Sequence, residues 1–129
     1  MKIPNIFEGE TAPQSFPAGS VIFQECQPGE VMYVVKSGEV ELRVHGRQVE
    51  VVAADGYFGE MAVIEGGERS ATALAKSDCV LTPITGKQFE FMVHEIPFFA
   101  VHVMKGLARR LRAFNAIAQV DVVARTASP

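Results

Sequence analysis

Val31-Met32-Tyr33-Val34-Val35-Lys36-Ser37-Gly38-Glu39-Val40-Glu41-Leu42-Arg43-Val44 decides the fold class. Val31 to Val35 is apolar throughout, the pattern of a strand covered on both faces. After the Ser37-Gly38 turn, Glu39 to Val44 alternates without a break and puts Val40, Leu42 and Val44 on one face. Arg47 to Val52 alternates too, which predicts that Val49 and Val51 lie together. Further turn signals stand at Pro17-Ala18-Gly19, Pro28-Gly29, Gly46, Asp55-Gly56, Gly66-Gly67, Ser77-Asp78 and Gly86. Many short strands at such spacing predict a sandwich or small barrel.

Beyond Gly86 the period changes. Lys87 to Glu95 reads as a short helix, and Pro97 suits the first turn of a second, where its missing N–H would be unpaired anyway. In that second helix Ala100, Met104, Leu107, Leu111, Phe114 and Ala118 form an apolar seam. The seam suits packing on the β-domain or pairing with a second copy. Gly106 weakens the helix by roughly 1 kcal/mol relative to alanine and permits a close approach there. Lys105, Arg109, Arg110 and Arg112 read as a solvated face, and the segment after Gln119 as a polar, fraying tail.

A chain of 129 residues holds one domain. Its 48% apolar and 21% charged residues are globular composition, and the net charge of −3 offers no basic surplus for nucleic acid. Cys26 and Cys79 are too few for a disulfide framework or a four-cysteine metal site. Cys79 reads as a reduced core residue, and Cys26, before a turn, as partly exposed. No apolar run approaches the ~20 residues of a membrane span, and Glu8 and Glu10 spoil a signal peptide. The expectation is a soluble, cytoplasmic, non-enzymatic domain.

The stretch that carries chemistry is Gly56-Tyr57-Phe58-Gly59-Glu60-Met61-Ala62-Val63-Ile64-Glu65-Gly66-Gly67-Glu68-Arg69-Ser70-Ala71-Thr72. It reads as a glycine-flanked turn, a single helical turn, a tight loop and a strand. A helix start presents unpaired N–H groups that favour an anion. Arg69 can grip a phosphate through two parallel hydrogen bonds, and Ser70 adds a hydroxyl. Glu60 would repel an anion unless the same ligand carries a donor, such as a sugar hydroxyl. An anion cradle beside a hydroxyl acceptor describes a nucleotide with one phosphate charge. The plainer reading is a structural pair between Arg69 and Glu60.

Phe58-Gly59-Glu60 through Arg69-Ser70-Ala71-Thr72 resembles the phosphate-binding cassette of cyclic-nucleotide-binding domains, the family of catabolite activator protein and kinase regulatory subunits. Pro28-Gly29-Glu30, Tyr33-Val34-Val35 and Ser37-Gly38-Glu39-Val40 resemble its early strands. The resemblance runs roughly from residue 15 to residue 112. It implies a mainly β fold: an eight-stranded β-roll of jelly-roll type, with a short phosphate-binding helix and two C-terminal helices. The single domain would cover residues 1–119, with the roll at 12–86, helices at 87–119 and a flexible tail at 120–129.

The resemblance further implies a regulatory module that binds cyclic AMP or cyclic GMP, uses no cofactor and shifts its last helices. Gly59 would admit the ligand beside Phe58, and Glu60 would accept the ribose 2′-hydroxyl. Main-chain N–H groups near Met61 and Ala62 would meet the phosphate, Arg69 would pair with it, Ser70 would bond it or the base, and Ala71 would join the ligand-binding residues. Phe114 and Asn115 fall opposite adenine-contacting residues of catabolite activator protein, so a stacking ring and an edge-reading amide are implied there. Two features depart from one branch or the other. Glu68 stands where kinase-type cassettes carry proline, and the nine positions from Glu60 to Arg69 match the kinase spacing. Ten residues follow Gln119, too few for a helix-turn-helix, so direct DNA binding is not expected. Expected partners are the nucleotide, an effector protein and a second copy through the last helix.

A metal-binding cupin would need clustered histidines. His45 stands apart from His94 and His102, so no metal site is expected. The remaining alternative is a ligand-free interaction module on the same fold, in which Arg69 and Glu60 satisfy each other.

Overall fold

The structure is a computed structural model that describes the backbone of residues 12–127 and the side chains of residues 12–116. The beginning of the domain expected over 1–119 lies outside these residues. Eight strands run in the order β1 (Gln14–Phe16), β2 (Val21–Phe23), β3 (Val31–Ser37), β4 (Val40–Val44), β5 (Arg47–Val52), β6 (Tyr57–Phe58), β7 (Thr72–Ala75) and β8 (Cys79–Thr85). A short helix α1 (Glu60–Glu65) sits between β6 and β7, and α2 (Gly86–Glu95) and α3 (Pro97–Ala127) follow β8. The helix expected to end near Gln119 continues to Ala127.

The strands form two four-stranded antiparallel sheets, ordered β1-β8-β3-β6 and β2-β7-β4-β5. Between them lies the first core, where Val40, Leu42 and Val44 meet Val35, Phe58, Ala73 and Leu81. A second core joins the outer face of β3 to the helices through Met32, Ile84, Met92, Phe99 and Val103. Strand β3 is therefore covered on both sides, Met32 facing one core and Val35 the other, as its unbroken apolar run predicts. Gly38 closes the β3–β4 turn at φ +86, with the Asp78 carbonyl where a side chain would stand.

The β4–β5 hairpin turns through His45 and Gly46, both at positive φ. Its register then shifts: Arg43 faces Gln48, but Leu42 faces Glu50, leaving Val49 as an extra residue. The bulge overturns the expected pairing of Val49 with Val51. Val49 packs at the edge of the core, Val52 takes the inner position opposite Val40, and Glu50 shares the inner face with Leu42.

On α3 the expected seam divides. Leu107 and Phe114 pack on the domain, whereas Met104 is 58% and Leu111 55% exposed. Ala118 lies outside the described side chains. The buried face instead runs through Phe99, Val103, Gly106 and Arg110. Gly106 admits the Tyr57 hydroxyl to a spot that a Cβ would fill. Phe58 has no exposed surface and packs against Phe23 and Tyr33, with ring centroids 5.7 and 5.4 Å away. Replacing Phe58 with alanine should cost about 3–5 kcal/mol of stability in urea unfolding, because it empties a fully packed site.

Candidate functional site

Strand β6 ends at Phe58, and the chain turns sharply through Gly59 at φ +84 into α1. No side chain caps this helix, and Gly66 ends it at φ +71 with its N–H donating to the Ala62 carbonyl. The loop after α1 is tied to the β2–β3 loop. Arg69 N–H donates to the Gln27 carbonyl at 2.7 Å, and Cys26 N–H donates to the Arg69 carbonyl at 2.8 Å. These contacts fix the backbone of Arg69 opposite the start of α1.

The result is a narrow, partly open cleft with a cavity volume of about 20 Å³. Gly59, Glu60, Met61, Ala62, Arg69, Ser70, Ala71 and Phe114 line it, eight of the ten residues singled out in the sequence. Phe58 and Asn115 are not brought to it: Phe58 belongs to the core, and Asn115 is exposed on α3. Phe23, Leu42 and Arg110 also line the cleft. The Ser70 hydroxyl donates to the Met61 sulfur at 3.1 Å.

Arg110 corrects the reading of a solvated basic face on α3. It is only 7% exposed. Its Nη1 donates to both Glu60 oxygens, at 2.6 and 2.7 Å. Its Nε and Nη2 donate to the two oxygens of Glu50, at 2.8 and 3.2 Å, and Nη2 also donates to the Tyr57 carbonyl. Burial lowers the Arg110 pKa, but the Glu50 hydrogen bonds and the Glu60 and Glu50 charges outweigh it, so the net shift is upward. The signal that could have located this contact is Gly106 one turn earlier. A glycine inside a helix marks a face pressed against a neighbour, and Arg110 follows on the same face. The inward turn of Glu50 had no such marker, because a bulge produces it.

Arg69 is the opposite case. It is 6% exposed, its Nη1 donates to the Gly59 carbonyl at 3.1 Å, and its Cζ stands 4.0 Å over the Phe23 ring. Its Nε is buried with no hydrogen-bond partner. Burial lowers its pKa, with the Tyr33 charge acting the other way. Arg69 and Glu60 thus hold separate partners rather than each other.

Elsewhere, Cys79 is buried, and burial raises its thiol pKa, while Cys26 is exposed. Among the described residues no group of His, Cys, Asp and Glu is placed to hold a metal ion, and no helix is long and apolar enough to cross a membrane.

The family model for the cyclic nucleotide-binding domain matches residues 13–95. The chain is 37% identical over 102 residues to the cyclic AMP receptor protein of Thermus thermophilus, across 75% of this chain and 47% of that protein. It is 34% identical over 80 residues to a cGMP-dependent protein kinase of Eimeria tenella, across 62% of this chain and 8% of the kinase. The crystal structure of the Thermus thermophilus catabolite activator protein is similar at TM-score 0.72 and 30% identity, over 90% of this chain and 56% of that one. Cyclic-AMP-bound PfPKA-R shares the fold at TM-score 0.75 and 19% identity, over 83% of this chain and 37% of that one. The chain spans about half the length of the receptor protein and a small part of the kinase.

Replacing Arg110 with alanine leaves Glu60 buried without its cation and should cost roughly 3–5 kcal/mol in chemical unfolding. Adding Glu60→Gln to that variant should recover part of the loss. The raised Arg110 pKa makes its contribution fully present below the ordinary arginine range and lost only as pH rises through the still higher folded value. The difference between wild type and Arg110→Ala should therefore stay level from neutral into mildly alkaline pH.

Proposed function

Because this chain belongs to the cyclic nucleotide-binding domain family, we propose that it binds a cyclic nucleotide in the cleft between α1, Arg69 and α3 and passes the event on through α3. The observation that carries this reading is the Arg69 guanidinium, buried at the cleft with its Nε unpaired. A buried donor without a partner is costly, and a ligand phosphate is the natural acceptor to relieve it. The start of α1 at Met61 and Ala62, with Ser70 and Ala71, surrounds the same place.

Glu60 accepts the sugar hydroxyl in this reading. Its two oxygens already receive Arg110, so a ligand there engages the residue that anchors α3. A ligand that interacts differently with two placements of α3 shifts their populations, which is the regulatory step. Phe114, half-buried at the cleft, faces the base, and Asn115 belongs to the outer surface of the helix. The domain acts as a cytoplasmic binding module rather than an enzyme. The Arg69–Glu60 pair that the ligand-free alternative expected is not formed.

The second copy is proposed to seat on the outer face of α3. Val101, Met104, Ala108, Leu111 and Asn115 are all exposed there, at alternating spacings of three and four. That is a heptad seam with one polar residue, the pattern that sets register between two identical helices.

Calorimetric titration with cyclic AMP and cyclic GMP tests the site. One of them should bind, and Arg69→Ala should lose roughly 2–5 kcal/mol of binding. Unchanged affinity in that variant would remove the proposed pocket. Sedimentation tests the partner: wild type should be dimeric and Leu111→Glu monomeric, while a wild-type monomer at high concentration would rule the seam out.

A further inference from the structure

The Arg69 guanidinium lies in a slot formed by one ring and two glycines. Phe23 is 4.0 Å beneath it. On one side is Gly59, where a Cβ would come within 2.8 Å of Nη1. On the other is Gly29, from a loop forty residues earlier in the chain. A Cβ on Gly29 would stand 2.5 Å from Arg69 Cζ, 2.7 Å from Cδ and closer still to Nε. The backbone of Gly29 is outside the left-handed region, so conformation does not require glycine there. Space does. The loop cannot withdraw to make room: Gly29 N–H donates to the Gly67 carbonyl at 3.2 Å, and Pro28 forms an isolated bridge with Glu68.

We infer that Gly29 is a positioning residue for Arg69. Its bare Cα leaves the berth in which the guanidinium waits over Phe23, with Nε unpaired beside the space that a Cβ would fill. A methyl group at position 29 displaces the guanidinium from the ring and from the Gly59 carbonyl. The anion-binding group then has to be rebuilt at each binding event instead of being held ready. The inference rests on the nucleotide-binding reading of the cleft, but the contact itself does not need a ligand.

The test is a double-mutant cycle of Gly29→Ala and Arg69→Ala with separate readouts. In urea without nucleotide, Gly29→Ala should lower the unfolding midpoint when Arg69 is present and leave it unchanged in the Arg69→Ala background. An equal drop in both backgrounds would mean that position 29 serves only the loop, and would overturn the inference. In titrations with cyclic AMP and cyclic GMP, Gly29→Ala should weaken binding at least tenfold. Its Arg69 Nε–H resonance in NMR should shift from the wild-type position before any ligand is added. Wild-type affinity in Gly29→Ala, alongside lost affinity in Arg69→Ala, would overturn the positioning role and keep the pocket. Absence of binding by wild type to either nucleotide would overturn the functional reading alone, because the stability cycle and the resonance still decide the berth.

Discussion

The molecule is organised around one buried guanidinium. Arg110 reaches from α3 and joins Glu60 of α1, Glu50 of β5 and the carbonyl of Tyr57 in β6. A charge taken out of water costs several kcal/mol unless its hydrogen bonds are restored, and all three nitrogens of Arg110 have acceptors. Two carboxylates on one cation leave an excess negative charge. Glu50 carries it most easily, since its side chain is 33% exposed and Glu60's only 2%. The geometry constrains more than it stabilises. Rotating or sliding the long helix would strain the tie between Arg110 and Glu60, which links the placement of α3 to the lining of the cleft.

Arg69 shows how the same side chain serves a different end. Both arginines are buried and both lie against a ring, Arg69 over Phe23 at 4.0 Å and Arg110 over Tyr57 at 5.1 Å. Arg110 is saturated by carboxylates and its pKa rises. Arg69 has a carbonyl and an unpaired Nε, and burial lowers its pKa. A saturated guanidinium is a structural tie, and an unsaturated one keeps a donor open to a further acceptor. Gly29 and Gly59 leave beside Arg69 the space that a Cβ would fill.

Much of this was legible along the chain. The alternation of Val40, Leu42 and Val44 identifies an inner face because strand side chains repeat every second residue. The strand–turn–helix spelling of Phe58 to Glu65 and the arginine-serine pair that follows locate the cleft, since each of those features is local. Local features also explain the capping box of Thr85 and Gln88 that starts α2. Phe58 shows the limit: Gly59 and Glu60 after it line the cleft, but its own ring is taken up by the buried stack with Phe23 and Tyr33.

What the sequence determined by itself is the set of elements and the order of the cassette, for these depend on residues within a few positions of one another. What only the tertiary structure decided is who partners whom. Glu50 turns inward because the β4–β5 register slips by one residue at Val49, and no local pattern announces a bulge. Arg110 finds Glu60 fifty positions away because the two helices meet against the same sheet. A charged residue on an amphipathic helix looks the same in sequence whether it faces water or a carboxylate. The choice is made by desolvation, and desolvation exists only once the elements have packed.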